Sequence, residues 1–426
     1  MARTAEVLPE GTRVSDFVTI GVVAKKIPER VVLKVLREEE RASQRMRKLP
    51  ARAVVYYVIA MAIYMNVSYG EVLRCLLEGL EWLGQPTKNL RKTRKSAVTH
   101  ARQRLGFEPM RRLYQELVHP IATEHTRGTW YPSPKEASSR WRLVSLDGST
   151  LDIQDTPAND ELFGRPSAPR GESAFPKLRF VALAECGTHV LFGAAEGPYA
   201  FSEVHLARQL LPQLAAGMLC LADRNFFSFD LWQESVATGA DLLWRVKLGN
   251  ELPVLEQLDD GSFLSKIYRS TDDRRRDRHG VPVRVLDYTL KDDVGNLVTP
   301  EGKDEHYRLI TTILDPDAAP ASDLGALYHE RWEVENAFNE FKTHLRGRKT
   351  VLRSRTPELV RQEFYGFLLA HYVVRELMHE AALEAEIDPD QLSFTHSVNV
   401  IRRKIQAARS LSGTAPFPPS TNRPSS

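Results

Sequence analysis

One stretch in the C-terminal third of the 426-residue chain carries side chains that could hold a metal ion beside a phosphate. Residues 328–342 contain no Pro or Gly, which favours a helix. At about 100° per residue, four side chains fall within an arc of roughly 60°: Tyr328, Arg331, Glu335 and Lys342. This spacing puts one carboxylate between two cations on one face. The alternative interpretation is a solvated charged helix with scattered ion pairs.

Two further acids follow short apolar runs that are typical of buried strands. Residues 142–146 end at Asp147, and residues 218–222 end at Asp223. An acid at the end of a buried strand is costly unless it binds something, so both aspartates are candidate ligands. For Asp147 an Asp-Gly turn is the alternative interpretation, because Gly148 follows it.

The order of elements around these acids predicts how they meet. The expected strands are 142–146, 178–184, 189–195 and 218–222, with a helix over 203–214 before the last strand. Three strands, a helix and a fourth strand form the order of a ribonuclease-H-like fold. In that fold the first and fourth strands lie side by side. We therefore expect Asp147 and Asp223 to be neighbours.

Asp147, Asp223 and Glu335 together indicate a metal site. Three carboxylates brought together repel each other unless cations lie between them. Mg²⁺ accepts such oxygen ligands and keeps positions open for phosphate and water, and we expect Mn²⁺ to substitute for it. Two such ions about 4 Å apart can activate the attacking oxygen and stabilise the leaving oxygen in phosphodiester cleavage. The pattern therefore predicts two-metal chemistry on nucleic acid.

A basic segment upstream predicts a second contact with DNA. Residues 88–112 contain nine Lys and Arg residues against a single acid. Within them a helix is expected over 97–105. Gln103 would point outward to base edges, with Arg102 and Arg104 on phosphates. A surface helix with a basic rim is the alternative interpretation.

Composition limits the class of protein. The formal net charge is +3, so affinity for nucleic acid must come from local basic patches. Three scattered cysteines form neither a disulfide framework nor a zinc motif, which suits a reducing cytosol. No signal-peptide core is present, and the longest apolar run, residues 53–65, is shorter than the roughly 20 residues that span a bilayer. We expect a cytoplasmic protein of the bacterial nucleoid with no membrane association.

Most of the chain resembles bacterial DDE transposases of the insertion sequence 4 family. The resemblance rests on three blocks: residues 146–152 with their extension through 164, residues 222–226, and the Tyr-Arg-Glu-Lys pattern of the predicted helix. Residues 97–106 resemble the N-terminal region of that family. No departure from the family pattern occurs at the motif positions.

The resemblance implies roles for individual residues. The catalytic and metal-binding triad would be Asp147, Asp223 and Glu335. Four residues would contact the DNA end near this triad: Tyr328, Arg331, Lys342 and Arg224. A β-rich insertion would cover the cleaved end and hold a flipped base on an aromatic side chain. Trp244, Tyr268 and Tyr288 are candidates for that role, although packing explains each of them more simply.

We therefore expect an α/β protein with a ribonuclease-H-like catalytic core. The predicted parts are a helical DNA-binding domain over 1–135, a catalytic domain over 140–380 with its insertion at about 241–313, a helical segment over 381–412 and a disordered tail over 413–426.

The expected activity is metal-dependent cutting at an element's ends, followed by joining of the freed 3′ hydroxyls to target double-stranded DNA. Pairing two ends implies a homodimer on DNA. A nuclease with the same triad but no strand transfer is one alternative. A catalytically silent DNA-binding regulator on this scaffold is the other.

Overall fold

The computed structural model describes residues 23–43, 49–65, 68–73, 95–132, 140–168, 171–289, 306–347 and 351–403. The predicted disordered tail over 413–426 and the basic residues 88–94 lie outside this part of the chain. The helices are α1 Glu29–Glu38, α2 Ala51–Ile63, α3 Lys95–Leu105, α4 Glu108–Leu117, α5 Pro157–Phe163, α6 Glu203–Arg208, α7 Phe229–Val236, α8 Thr271–Arg275, α9 Ala321–Tyr328, α10 Trp332–Asn339, α11 Pro357–Ala385 and α12 Phe394–Arg403. The strands are β1 Trp130–Pro132, β2 Arg140–Asp152, β3 Ser167–Ala168, β4 Gly171–Glu172, β5 Lys177–Glu185, β6 Leu191–Pro198, β7 Met218–Ala222, β8 Asp241–Val246, β9 Glu256–Gln257, β10 Phe263–Ile267, β11 Val281–Thr289 and β12 His306–Thr311.

A mixed, mostly antiparallel sheet organises the described residues. Its strand order is β6-β5-β2-β7-β8-β12-β11-β10-β9, with β1 paired to β2. Strands β2, β5 and β6 are antiparallel neighbours, and β7 runs parallel to β2 after the crossover through α6. The predicted order of three strands, a helix and a fourth strand beside the first is therefore confirmed.

Strand β2 is longer than expected. It continues from Arg140 to Asp152, because its second half stays paired with β5 after the parallel pairing with β7 ends at Leu146. Asp147 thus lies inside a strand and not at its end. The prediction of a strand end there is wrong, and the alternative of an Asp-Gly turn is excluded as well.

The β-rich segment after β7 extends the same sheet. Strand β8 pairs in parallel with β7, and β12, β11, β10 and β9 follow it as antiparallel neighbours. The predicted strands in the 241–313 region are therefore present. They form one half of a continuous sheet and do not form a separate layer.

The N-terminal helices pack against the long helix α11. Helix α2 is buried along nearly all of its length, because its side chains are apolar on every face. It approaches α11 so closely that a Cβ at Gly366 would lie 2.7 Å from Cγ1 of Val58. The two regions share one hydrophobic core. Among the described helices, none combines the length and hydropathy that crossing a bilayer requires.

The predicted helix over 328–342 is helical throughout but not uniform. Between α9 and α10 lies a 3-10 turn, His329–Arg331, and α10 continues into a π-helical turn, Glu340–Leu345. The apolar face of this helical stretch packs on the sheet. There the Phe338 ring contacts Phe180 of β5 edge-on, with 5.1 Å between ring centroids. π-helical turns occur frequently at functional sites.

Candidate active site

The backbone register brings Asp147 and Asp223 to the same place. Leu146 of β2 pairs with Ala222 of β7 in parallel register. Asp147 follows Leu146 within β2, and Asp223 is the first residue after β7. Both side chains are partly buried. The predicted neighbourhood of the two aspartates is therefore confirmed.

Arg331 connects Glu335 to Asp147. Its guanidinium lies 3.4 Å from Oδ2 of Asp147 through Nη1 and 3.1 Å from Oε1 of Glu335 through Nη2. The Arg331 side chain is only 11% exposed, so solvent screens these contacts weakly. The structure thus links Glu335 of helix α10 to Asp147 of β2 through Arg331, and Asp223 directly follows the neighbouring strand β7.

The Asp147 carboxyl lies in an environment that resists its charge. Burial raises its pKa to about 6, assisted by the negative charges of Glu335 and Glu203. The backbone N–H of Gly148, which donates to Oδ1 at 2.7 Å, and the Arg331 guanidinium act in the opposite direction. A nearby cation would therefore stabilise the charged form of this carboxyl.

Tyr328 anchors the start of the helical stretch. Its ring is 3% exposed, and its hydroxyl donates a hydrogen bond to the carbonyl of Ala222 at 3.3 Å. Ala222 precedes Asp223, so this bond ties the helix to the strand that carries the second acid. Packing among side chains of the sheet buries the ring, and the DNA contact of Tyr328 stays a prediction.

Lys342 reaches the same strand as Asp147. Its Nζ donates to Oγ of Ser149 at 2.7 Å, two residues beyond Asp147 on β2. Burial lowers the pKa of Lys342, and the positive charge of Arg346 adds to this effect. Both predicted cations of the helix therefore lie against β2, one on each side of Gly148.

The residue after the second acid faces outward. Arg224 is exposed directly beyond Asp223. The DNA contact of Arg224 stays a prediction.

Two residues of the site were missed by the sequence analysis. Trp332 is 50% exposed although it lies directly after Arg331, whose guanidinium is 5.6 Å from the indole centroid. Glu203, at the start of α6, packs against Gly148 so tightly that a Cβ there would lie 2.5 Å from the Glu203 carboxyl carbon. Trp332 lies within the motif, but only the structure shows its exposure. Nothing in the sequence pattern links Glu203 to Asp147.

Helix α3 presents two of its three predicted DNA-binding residues. Gln103 and Arg104 are exposed. Arg102 is 4% exposed and donates to Oε1 of Gln362 at 2.8 Å and to Oγ of Ser354 at 2.9 Å. The contact of Arg102 with phosphate stays a prediction, and in this structure the side chain is instead buried against protein acceptors. These acceptors lie more than 250 residues away in the chain. Their hydrogen bonds with Arg102 bury this side of helix α3 against the C-terminal part of the chain.

The three aromatic candidates for holding a flipped base are engaged within the protein. Trp244 is fully buried in the sheet. Tyr288 stacks on Tyr307 with 5.3 Å between ring centroids, and the Tyr268 hydroxyl donates to Asp277 at 2.8 Å. Packing accounts for each of them, as the alternative interpretation held.

Comparison with protein families matches two parts of the chain. The model described as "Insertion element 4 transposase N-terminal" matches residues 17–115, and the model described as "Transposase DDE domain" matches residues 139–373. The second match covers Asp147, Asp223 and Glu335.

Two relatives from Escherichia coli (strain K12) are similar to this chain. "Transposase InsG for insertion sequence element IS4" is 30% identical over 393 residues, which cover 91% of this chain and 82% of the relative. "Putative transposase InsZ" is 28% identical over 223 residues, which cover 52% of this chain and 69% of the relative.

Proposed function

Because the chain belongs to the insertion sequence 4 family of DDE transposases, we propose that Asp147, Asp223 and Glu335 are the catalytic carboxylates with which it cuts the ends of its element. The observation that carries this assignment is the contact of Arg331 with both Asp147 and Glu335. That contact links the helical stretch to strand β2, because Arg331 and Asp147 lie 184 positions apart in the chain.

The donor set fits divalent metal ions. Three carboxylates offer the oxygen ligands that Mg²⁺ and Mn²⁺ prefer. Burial raises the pKa of Asp147 despite its contact with Arg331, so a metal ion would stabilise the charged form further. When bound there, two such ions would activate the attacking oxygen and stabilise the leaving oxygen of the scissile phosphodiester. The chain itself would hold them with Asp147, Asp223 and Glu335.

The cationic residues of the site would position the DNA end. Arg331 has a planar fork that can pair with phosphate when a metal ion takes over its carboxylates. Lys342, which donates to Ser149, and Arg224, which directly follows Asp223 in the chain, would supply further positive charge for the DNA. The exposed indole of Trp332 is available for stacking on an unpaired base.

The N-terminal helices would recognise the element's ends. Gln103 and Arg104 share the exposed face of α3, which allows one to read a base edge while the other contacts phosphate. The DNA-binding role of this region, the predicted domain boundaries, action as a homodimer on DNA and location at the bacterial nucleoid are parts of the same proposal.

We propose cut-and-paste transposition as the reaction sequence. After water cuts the element's ends, the freed 3′ hydroxyls attack phosphodiesters of target DNA, and each joining step exchanges one phosphodiester for another. Because a new phosphodiester forms as another breaks, the joining step needs no external energy source. The residues named above would serve both steps.

The experiment incubates the full chain with labelled element-end duplex, Mg²⁺ and target DNA, and sequences the products. We expect cuts at the element boundary together with joined products. Asp147→Asn, Asp223→Asn and Glu335→Gln should each abolish both while end binding survives, and Glu161→Gln, an exposed acid on α5, should change neither. Cutting without joining would identify a nuclease. Binding without metal-dependent cutting would identify a regulator.

A further inference from the structure

A cluster of ionisable side chains lies on the opposite side of helix α10 from the three catalytic acids. Glu333 is two positions before Glu335, so it points to the far face of the helix. There it meets His189, from the hairpin that joins β5 to β6, and Asp390, from the turn that follows α11. In the described part of the chain, these three residues form the one group of metal-ligating side chains whose ligand atoms all lie within 4.8 Å of one another.

We propose that His189, Glu333 and Asp390 bind a zinc-class divalent cation that fixes the back of the catalytic helix. The group combines one imidazole nitrogen with two carboxylate oxygens. Imidazole favours Zn²⁺ over Mg²⁺, which prefers an all-oxygen set. The site is therefore chemically distinct from the three carboxylates on the other face.

The separations between ligand atoms fit a tetrahedral ion. Nε2 of His189 lies 3.1 Å from Oδ1 of Asp390 and 3.8 Å from Oε2 of Glu333. Bonds of about 2.0–2.1 Å at a tetrahedral centre place neighbouring ligand atoms about 3.3 Å apart. The two observed separations lie on either side of that value, so small side-chain shifts suffice to complete the site.

The His189 side chain is oriented as a metal ligand would need to be. Its side chain is 6% exposed, and its Nε2 makes no hydrogen bond although it points between the two carboxylates. Its Nδ1 lies 3.2 Å from Oε1 of Glu340, which is the carboxylate–histidine arrangement that orients metal ligands in many proteins. The backbone of His189 adopts φ of 55°, a conformation that non-glycine residues rarely adopt. The structure thus holds the imidazole toward the carboxylates at a conformational cost.

The charges of the cluster favour a divalent cation. The carboxylates of Glu333, Glu340 and Asp390 meet here, and that of Glu330 is hydrogen-bonded to Glu333. The guanidinium of Arg375 lies 3.1 Å from Glu340 and 3.7 Å from Asp390. Ionised carboxylates therefore outnumber this guanidinium, and one Zn²⁺ would offset the excess of negative charge.

Access to the site is through Asp390. Its side chain is 36% exposed, whereas His189 and Glu333 are buried. Water can thus reach the fourth coordination position, and metal can enter from this side. Because the three ligands come from separate parts of the chain, a bound ion would tie the β5–β6 hairpin and the turn after α11 to the catalytic helix.

The test measures zinc in the full chain carrying Asp147→Asn, which weakens the catalytic metal site. After equilibration with Zn²⁺ and desalting, mass spectrometry should find one zinc per chain, and zinc-edge X-ray absorption should show a nitrogen/oxygen shell with one imidazole. Adding Asp390→Asn or His189→Asn should weaken binding at least tenfold, since loss of outer partners alone costs about 10–100-fold. Asn is chosen at position 189 because it tolerates positive φ. Glu384→Gln, an exposed acid on α11, is the matched control and should leave binding unchanged.

Thermal melting separates loss of metal from loss of folding. Zn²⁺ should raise the melting temperature of the parent and of Glu384→Gln, but not that of Asp390→Asn, while all three melt alike in chelator. No zinc in the parent, or equal zinc in the parent and both ligand variants, would overturn the proposal. Neither measurement involves DNA cleavage, so the result is independent of the proposed catalytic triad.

Discussion

The guanidinium of Arg331 lies 3.4 Å from the carboxylate of Asp147, although one residue is on a helix and the other in the middle of a strand. Arg331 also contacts Glu335. One side chain thus neutralises two of the three acids that we propose as catalytic. Arg331 thus acts as a counter-ion to Asp147 and Glu335, and its removal should leave both carboxylates without a positive partner.

Arg331→Ala should lower the melting temperature in metal-free buffer, because Asp147 and Glu335 then lose their shared counter-ion. Saturating Mg²⁺ should restore the melting temperature but not cleavage, which should stay about 10²-fold below wild type because the DNA end is misplaced. Arg331→Lys should recover cleavage only in part, since an ammonium lacks the bidentate fork. Scanning calorimetry and single-turnover cleavage on the same preparations measure both effects. Full recovery of cleavage by Mg²⁺ would assign Arg331 a structural role alone.

The affinity of the free protein for Mg²⁺ should fall as pH drops through about 6. Burial raises the pKa of Asp147 to about 6, and a protonated carboxyl cannot ligate the ion. Calorimetric titration between pH 5 and pH 8 measures this on wild type. In Asp147→Asn the remaining affinity should lose that transition. A transition of equal size in the variant would place the titrating group elsewhere.

Asp147→Asn should also stabilise the metal-free protein at neutral pH. The pKa of Asp147 is raised from 3.8 in the unfolded chain to about 6 in the folded one, so between these values the folded state binds more protons. Stability contributed by this group is therefore present at low pH and lost as pH rises to about 6, at most about 3 kcal/mol. Removing the charge should recover part of that amount at pH 7. Urea unfolding at pH 4 and pH 7 is the measurement, and a gain that is larger at pH 4 would contradict it.

Arg102 and Arg104 form a matched pair on helix α3. Arg104→Ala should weaken binding to all DNA sequences and reduce the salt slope by about one, whereas Gln103→Ala should relax sequence preference. Arg102→Ala should instead destabilise the fold by about 3 kcal/mol, because Gln362 and Ser354 lose a buried donor. Binding at several salt concentrations and denaturant unfolding distinguish the two arginines. A stable Arg102→Ala protein with a reduced salt slope would return this residue to the DNA surface.

Trp332→Ala should weaken binding and cleavage of element-end DNA by about 5–150-fold, the range expected for loss of stacking on one base. Trp332→Phe should retain part of the activity because it keeps an aromatic face. Folding should be unaffected, because the side chain is half exposed. Leu255→Ala, at an apolar side chain 53% exposed in the β-rich region, is the control and should bind normally. Unchanged end binding by Trp332→Ala would exclude stacking.

Local periodicity was sufficient to predict the elements and part of the site. Alternating and continuous apolar runs marked the strands, and the absence of Pro and Gly marked the helix from Tyr328 to Lys342. The order of these elements then implied that the strands before Asp147 and Asp223 are neighbours, because a crossover helix returns the chain parallel to its first strand. The register of Leu146 with Ala222 confirms that implication.

Contacts between distant parts of the chain decided the rest. A helical period cannot show that Arg102 has buried acceptors some 250 residues away, nor that a separate cluster of sheet residues buries Tyr328. Pairing with β5 carried the strand past Asp147, because hydrogen bonds to a neighbouring strand outweigh the turn preference of Asp-Gly. His189, Glu333 and Asp390 come from three segments whose local patterns contain no metal motif. The sequence alone thus determined which elements carry the three acids, and the tertiary structure decided where strand β2 ends, which side chains are buried and which meet.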